Sequence, residues 1–213
     1  MATTPATDAV AQMLVFDEHG LLPCVAQDSV SGEVLMLAYV NAEAVQLTRA
    51  TGELHLWSRS RRQIWRKGET SGNAMAVKAL RVDCDGDALL ALVQPAGPAC
   101  HTGQRTCFHR GQLDPPAAFE TLPELERTLA SRAAERPAGS YTVTLLDDPA
   151  LTGEKVMEEA EEVTRAARQE SDMRVDEESA DLLYHLLVLM QSRGRRLADA
   201  CAVLAARARG ARG

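Results

Sequence analysis

The pattern of apolar residues changes at His109-Arg110-Gly111-Gln112-Leu113-Asp114-Pro115-Pro116. This stretch is polar and is punctuated by glycine and proline, which is typical of a linker. Before it, apolar residues come in short or alternating runs, whereas after it they recur with the period of a helix. The pattern therefore predicts two domains: an α+β domain at residues 14–110 and an all-α helical bundle at residues 119–213, joined by a linker at 111–118.

Short strands separated by turns are predicted on the N-terminal side of the linker. The apolar runs lie at residues 21–26, 34–39, 54–58 and 88–93, with turn pairs such as Asp28-Ser29 and Asp85-Gly86 between them. A helix is predicted over 41–50, because Asn41 can cap its start and Gly52 can close its end. This mixture of strands and a helix is typical of the α+β class.

Helices dominate the prediction on the C-terminal side. One is predicted over 154–169, a second from its N-cap Asp176 to about Arg193, and a third over 197–209. Residues 182–190 are apolar on nearly every side, which predicts a buried position, either central in the bundle or at a subunit contact. A further apolar stripe with helical spacing consists of Phe119, Leu122, Leu125 and Leu129.

Composition and charge exclude several classes of protein. The net charge of −7 argues against general nucleic-acid binding, which depends on a basic surface. No run of about 18 apolar residues is present, so no membrane span is expected. Residues 1–13 lack the features of a signal peptide and are expected to be a disordered lead-in. Five cysteines without a secretory signal favour free thiols or metal ligands and a cytoplasmic location; Cys24 and Cys201 have apolar neighbours and are expected in the core.

Basic residues are concentrated in one short segment: Arg59, Arg61, Arg62, Arg66 and Lys67. A local cluster of this kind suits a small phosphorylated ligand better than a polymer. The alternative is an ordinary charged face in contact with water.

Two kinds of metal ligand follow one another between Asp83 and Cys107. Cys84, Cys100 and Cys107 offer thiolates, which suit zinc, while Asp83, Asp85 and Asp87 offer carboxylates, which suit magnesium. Three cysteines without a fourth ligand leave one zinc position open, as a catalytic zinc requires. The alternative is a pair of reduced core cysteines beside an acidic turn.

Acidic residues on two predicted helices form a second set: Glu158, Glu159, Glu162, Glu178 and Asp181. Carboxylates one turn apart repel one another unless a cation neutralises them. Oxygen ligands from two helices can hold magnesium and leave positions for phosphates, which suits hydrolysis of a pyrophosphate linkage. The alternative is a solvated acidic face. No P-loop motif is present, which argues against a P-loop ATPase.

Taken together, these segments resemble the bifunctional phosphoribosyl-AMP cyclohydrolase and phosphoribosyl-ATP pyrophosphohydrolase of histidine biosynthesis. The first half is similar to the cyclohydrolase at residues 25–28, 32–39, 58–61, 65–73, 83–87, 100–103 and 107–108. The second half is similar to the pyrophosphohydrolase at residues 139–142, 155–163 and 179–187. The cyclohydrolase motifs are highly specific, whereas the Glu-Glu-x-x-Glu and Glu-x-x-Asp pair also occurs in other nucleotide pyrophosphohydrolases.

The resemblance implies two hydrolytic steps and a homodimer. Phosphoribosyl-ATP would lose pyrophosphate in the helical domain, and zinc-activated water would then open the adenine ring between N1 and C6 in the first domain. The implied zinc ligands are Cys84, Cys100 and Cys107, in a site built across two subunits with Cys84 from one of them. The implied magnesium ligands are Asp83, Asp85 and Asp87 in the first domain, and Glu158, Glu159, Glu162, Glu178 and Asp181 in the second.

Roles in catalysis and substrate binding are also expected. His101 follows a zinc ligand and is the candidate general acid or base, the alternative being a group that only supports the ligand. Arg59, Lys67 and Ser71 are expected to contact phosphate or ribose, and either Arg61 or Arg62 could substitute.

Two other functions are compatible with parts of this pattern. One is a housekeeping nucleotide pyrophosphohydrolase whose first half is an accessory zinc module. The other is a non-enzymatic, zinc-stabilised nucleotide-binding module. Hydrolysis of ordinary nucleoside triphosphates without ring opening would favour the first of these.

Overall fold

The computed structural model describes residues 7–111 and 117–211, which divide into two compact units between Glu120 and Thr121. Part of the expected linker, residues 112–116, lies outside the described residues. The structure differs from the expected disordered lead-in at residues 7–13. These residues form helix α1, Thr7–Met13, and Val10 packs against the hydrophobic core of the first unit. Residues 1–6 also lie outside the described part. No helix in the described ranges is both long and apolar enough to cross a membrane.

The first unit contains a six-stranded sheet in the order β4-β3-β2-β1-β6-β5. Its strands are β1 Leu22–Asp28, β2 Val34–Val40, β3 His55–Ser58, β4 Gln63–Arg66, β5 Met75–Val82 and β6 Leu89–Pro95. β1 and β6 are parallel, and the other neighbours are antiparallel. The predicted α+β class and its four strands are confirmed, although β4 and β5 were not among the strands predicted.

Helix α2, Ala42–Thr51, begins and ends at the predicted caps. The Asn41 side chain accepts a hydrogen bond from the Ala44 N–H at 2.8 Å, and Gly52 has φ 73° and donates its N–H to the Thr48 carbonyl at 2.9 Å. A positive φ at this position favours glycine because it has no Cβ. Both cap predictions are confirmed.

Alternating residues of the sheet form the core of the first unit. In β1, Leu22, Cys24 and Ala26 are buried while the residues between them are half-buried. Burial raises the pKa of the Cys24 thiol to about 12, so Cys24 stays a protonated apolar side chain. The prediction of a core Cys24 is confirmed, whereas the same prediction for Cys201 is wrong, because Cys201 is exposed on α7.

The second unit is helical, as predicted. Its helices are α3 Ala118–Glu135 (which begins at the end of the first unit), α4 Tyr141–Asp147, α5 Pro149–Gln169, α6 Asp172–Ser192 and α7 Leu197–Gly210. Leu129, Leu145, Leu187 and Val188 form its buried core, and α5 and α6 pack along each other. This pairing positions the acidic residues of the two helices.

Two helix starts differ from the prediction. α5 begins at Pro149, where the Asp148 side chain caps the Leu151 N–H at 3.0 Å. α6 begins at Asp172, because Ser171 accepts from the Arg174 N–H and caps the helix before Asp176 is reached.

The expected burial of residues 182–190 is only partial, since Leu183 and Leu186 are exposed while Leu187 and Val188 are in the core.

Candidate functional site

A cavity of about 390 Å³ in the first unit brings predicted site residues together. Its walls come from the turn after β4 and from the loop at 99–107, and the predicted residues among them are Lys67, Ser71, Cys100, His101 and Cys107. Residues far apart in sequence therefore meet at one concave site, as is usual for small-molecule sites.

The loop that carries the two thiols is attached to the backbone of β2 by hydrogen bonds. The Cys107 N–H donates to the Leu35 carbonyl at 2.8 Å, and the Thr106 hydroxyl donates to the Val34 carbonyl at 2.7 Å. Within the loop, the Cys100 N–H donates to the Gln104 carbonyl at 3.0 Å. These bonds hold Cys100 and Cys107 on the same side of the cavity.

The thiols of Cys100 and Cys107 interact with each other and differ in acidity. Hydrogen bonds from Thr102, including its hydroxyl at 3.1 Å from Cys100 Sγ, lower the pKa of Cys100. Burial, and next the negative charge of Cys100, raise the pKa of Cys107. Cys100 is therefore the first of the pair to become a thiolate, the form that binds zinc.

Cys84 does not join this pair within one chain. It is exposed in the turn between β5 and β6, where its Sγ lies 3.8 Å from Asp85 Oδ1. Among the described residues, the sulfur atoms of Cys84, Cys100 and Cys107 do not all lie within 4.8 Å of one another. Two thiols with one lowered pKa fit zinc in donor chemistry, but one chain supplies only two of the three expected sulfur ligands at this cavity.

The expected substrate-binding residues separate into two groups. Lys67 and Ser71 line the cavity, and Lys67 is only 7% exposed; its positive charge lowers the pKa of Cys107, although less than burial raises it. Arg61 also lines the cavity, 6.0 Å from the Trp65 ring centre. Arg59 is not part of the cavity wall and instead stacks over the Tyr39 ring at 3.9 Å.

His101 lies at the cavity and is exposed. Its Nδ1 lies 3.9 Å from Cys100 Sγ, too far for a strong hydrogen bond. This position puts the ring beside the thiol pair with access to water.

Gly68 shapes the wall of the cavity just after Lys67. Its φ is +88°, and a Cβ at this position would lie 2.3 Å from the Ala74 nitrogen. Backbone atoms cannot move aside as a flexible side chain can. Gly72, in the same turn, has φ +76° but open space around its Cβ position.

Gly68→Ala is expected to destabilise the first unit by at least about 3 kcal/mol, because backbone clash adds to the cost of a positive φ. Gly72→Ala should cost only about 1 kcal/mol, since only the φ penalty applies. Urea unfolding followed by tryptophan fluorescence measures this unit, because the two tryptophans, Trp57 and Trp65, both lie in it. Equal losses in the two variants would contradict the predicted clash.

A buried ion-pair network fixes the thiol loop to the turn between β1 and β2. The Arg105 guanidinium donates to Asp28 Oδ2 and to Glu33 Oε2, each at 2.7 Å. The two carboxylate side chains are only 8% and 10% exposed. Sequence reasoning missed this network, because these residues lie more than 70 positions apart and no local pattern links them.

Arg105→Gln is expected to cost about 3 kcal/mol of unfolding free energy, because it removes the guanidinium that bridges two buried carboxylates. The matched control is Arg66→Gln. The Arg66–Glu53 pair has the same 2.7 Å distance but both side chains are more than a third exposed, so its loss should cost under about 1 kcal/mol. Similar losses in both variants, by the same fluorescence measurement, would show that burial does not matter here.

The three aspartates between β5 and β6 form an exposed carboxylate cluster. Oxygens of Asp83, Asp85 and Asp87 lie within 4.8 Å of one another. Backbone hydrogen bonds, first that from Ala88, lower the pKa of Asp83. The pKa of Asp87 is raised by its hydrogen bond with Asp83 and by the charges of Asp85 and Asp83. The donor chemistry fits a hard cation, which would relieve this repulsion.

A second carboxylate cluster lies between α5 and α6. Oxygens of Glu159, Glu178 and Asp181 lie within 4.8 Å of one another, with Glu159 and Glu178 only 8% and 3% exposed. Arg174 forms an ion pair with Glu178. Buried carboxylates need compensating positive charge, so this cluster also fits a hard cation.

Glu158 and Glu162 are not in this cluster. Glu158 pairs with Lys155 at 2.6 Å, and Glu162 pairs with Arg165 at 3.0 Å. The bond with Glu158 raises the pKa of Lys155. The pKa of Arg165 is raised first by the hydrogen bond that it donates to Glu170 and next by the one that it donates to Glu162.

Two residues beside the cluster received no role from the sequence. His185 Nδ1 lies 3.5 Å from Glu159 Oε1, and its Nε2 lies 3.3 Å from the Tyr141 hydroxyl. The available signal was the spacing of Asp181 and His185, four residues apart on one helix face.

Comparison with known proteins assigns a family description to each unit. The family model for phosphoribosyl-AMP cyclohydrolase matches residues 36–109, and that for phosphoribosyl-ATP pyrophosphohydrolase matches residues 122–208. A protein of Bacillus subtilis (strain 168) is 50% identical over 199 residues, covering 91% of this chain and 94% of its own length. A protein of Xanthomonas campestris pv. campestris is 44% identical over 206 residues, covering 96% and 97%. Both are named histidine biosynthesis bifunctional protein HisIE.

Proposed function

Because the chain belongs to the HisIE family of bifunctional histidine-biosynthesis hydrolases, we propose that its two units act in sequence on one phosphoribosyl nucleotide. The helical unit hydrolyses phosphoribosyl-ATP to phosphoribosyl-AMP and pyrophosphate. The first unit then opens the adenine ring between N1 and C6. The observation that supports this proposal is that each unit brings together side chains that could bind a metal ion, within the residues matched by its family model.

In the helical unit, Glu159, Glu178 and Asp181 are the proposed ligands of magnesium. Magnesium bound there would neutralise phosphate charge and orient the pyrophosphate linkage for attack by water. Glu158 and Glu162 remain proposed ligands as well. Their ion pairs with Lys155 and Arg165 are exposed, and exposed pairs are weak enough to exchange for a cation.

In the first unit, Cys100 and Cys107 are the proposed zinc ligands, with Cys84 supplied by a second copy of the chain in a homodimer. Zinc held in this way would supply hydroxide at neutral pH. The separation of Cys84 from the thiol pair within one chain supports sharing between subunits. Asp83, Asp85 and Asp87 are proposed to bind magnesium.

Side chains at the cavity are proposed to bind the substrate and to transfer a proton during ring opening. Lys67 and Ser71 contact phosphate or ribose, joined by Arg61, which reaches the cavity where Arg59 does not. Lys67 is largely shielded from water, which strengthens its attraction for phosphate. His101, which is exposed beside the thiol pair, transfers a proton from the attacking water to N1 as the N1–C6 bond breaks.

We also propose a cytoplasmic location, because all five cysteines are free thiols.

One coupled assay tests the proposed function. The purified protein is given phosphoribosyl-ATP with zinc and magnesium, while pyrophosphate release and the absorbance of the ring-opened product are followed together. We expect pyrophosphate first and the ring-opened product second. Hydrolysis of ordinary nucleoside triphosphates without ring opening would contradict the proposal and favour a housekeeping pyrophosphohydrolase.

A further inference from the structure

We propose that His185 and Tyr141 are positioning residues for the carboxylate cluster of the helical unit, with His185 holding Glu159 in the orientation that a divalent cation requires. This inference rests on the proposed cation at Glu159, Glu178 and Asp181. It concerns residues that themselves need not touch the cation or the substrate.

The surroundings of His185 determine which nitrogen carries its proton. His185 is 6% exposed, and its Nδ1 lies 3.0 Å from the Asp181 carbonyl oxygen. Because a carbonyl oxygen can only accept, Nδ1 must be the donor. In the neutral ring Nε2 is then an acceptor, and the Tyr141 hydroxyl at 3.3 Å donates to it.

The same Nδ1 also lies near the cluster. Glu159 Oε1 lies 3.5 Å from Nδ1, close enough for electrostatic attraction between the N–H and the carboxylate. Glu159 is 8% exposed, so water compensates little of its charge. The N–H therefore favours the rotamer in which a Glu159 oxygen lies within 4.8 Å of oxygens of Glu178 and Asp181.

Contacts on both sides hold the ring of His185 in this orientation. The Tyr141 and Tyr184 rings pack edge-on against it, with ring centres 6.3 Å and 5.2 Å away. The two hydroxyl groups have different partners: the Tyr184 hydroxyl bonds to Thr142 at 2.8 Å, whereas the Tyr141 hydroxyl bonds to His185. Tyr184 therefore provides a matched control for Tyr141.

The experiment measures Mn²⁺ affinity at this cluster in the full chain. With tyrosine labelled by ¹³C, Mn²⁺ broadens the signals of nearby rings; the chain has three tyrosines, of which Tyr39 lies in the first unit and Tyr141 and Tyr184 lie beside the cluster. The signals of Tyr141 and Tyr184 therefore report binding at this site, separately from any metal bound in the first unit.

Two replacements of His185 distinguish positioning from packing. Asn can place an N–H near the position of Nδ1, whereas Gln reaches towards the position of Nε2, and both lose the ring. We expect His185→Gln to weaken Mn²⁺ binding about 10- to 100-fold, as loss of a group that orients a metal ligand does, and His185→Asn to weaken it less than about fivefold. Equal affinities in the two variants would overturn the inference.

The tyrosine variants test the same inference without removing the ring of His185. Tyr141→Phe should weaken Mn²⁺ binding at least about threefold and Tyr184→Phe less than twofold, on the same scale of ligand-orienting effects. This pair decides the question if the His185 variants do not fold, and equal affinities of the pair would overturn the inference. If Mn²⁺ broadens neither signal in the unmodified protein, the cation site fails together with the inference, whereas equal affinities of the variants leave the site intact.

Discussion

Cys107→Ala is expected to abolish adenine ring opening while pyrophosphate release from phosphoribosyl-ATP continues. Cys107 lies with Cys100 at the wall of the cavity in the first unit, where its thiol is a proposed zinc ligand. Loss of a ligand should exceed the 10- to 100-fold effect of losing a group that only orients one, so ring opening should fall by more than about 100-fold. The carboxylate cluster belongs to the other unit and is unchanged.

The measurement is the rate of each step with its own substrate: pyrophosphate release from phosphoribosyl-ATP and ring opening of phosphoribosyl-AMP. Cys201→Ala is the matched control, because it removes an exposed thiol on α7 that has no proposed role. Both rates should stay at the level of the unmodified protein in this control. Loss of both activities in Cys107→Ala would argue against independent units.

The same variant also tests the proposed sharing of the zinc site. If Cys84 comes from a second subunit, a mixed dimer of Cys107→Ala and Cys84→Ala chains contains one complete set of three cysteines. Mixing the two inactive variants under conditions of subunit exchange should therefore restore part of the ring-opening activity. No restoration, although exchange is demonstrated, would place all three thiols of a site in one chain.

Glu178→Gln is expected to give the opposite result, with loss of pyrophosphate release and normal ring opening. Glu178 is 3% exposed and is one of the three residues of the carboxylate cluster. Glutamine keeps the size of the side chain but removes the charge that holds a hard cation, so pyrophosphate release should fall about 100-fold or more. Ring opening of added phosphoribosyl-AMP measures the other unit in the same sample.

Glu177→Gln is the control for this substitution. Glu177 is the adjacent residue on α6 and also pairs with Arg174, but its side chain is half-exposed and is not in the cluster. Its replacement should change pyrophosphate release less than about twofold, as expected for an exposed ion pair worth well under 1 kcal/mol. Equal losses in the two variants would mean that Arg174, rather than the cluster, carries the effect.

Local patterns in the sequence were sufficient for the fold class and for several element ends. The caps of α2 at Asn41 and Gly52 depend on residues within one turn of each end, so they could be predicted. The predicted start of α6 was wrong because Ser171 and Asp176 are both good N-caps, and local chemistry does not choose between them. Packing of α6 along α5 favours the longer helix.

The partners of the site residues could not be predicted in the same way. The chemistry of Cys100 and Cys107 indicated a soft metal, but the Arg105 network that fixes their loop joins residues more than 70 positions apart. Similarly, five acidic residues indicated a hard cation. Only the packing of α5 on α6 decided that Glu159, Glu178 and Asp181 lie close together, while Glu158 and Glu162 form ion pairs with basic side chains of α5.

The sequence by itself determined that there are two units of different class, which kind of ligand each offers, and the family to which each is similar. The first two properties follow from residue type and short-range periodicity, whereas the family likeness rests on the resemblance of longer motifs. Only the tertiary structure decided which ligands are close together, that Lys67 is buried at the cavity while Arg59 stacks on Tyr39, and that His185 lies beside Glu159. The physical reason is that burial and distance depend on contacts between remote segments, which no local pattern of side chains encodes.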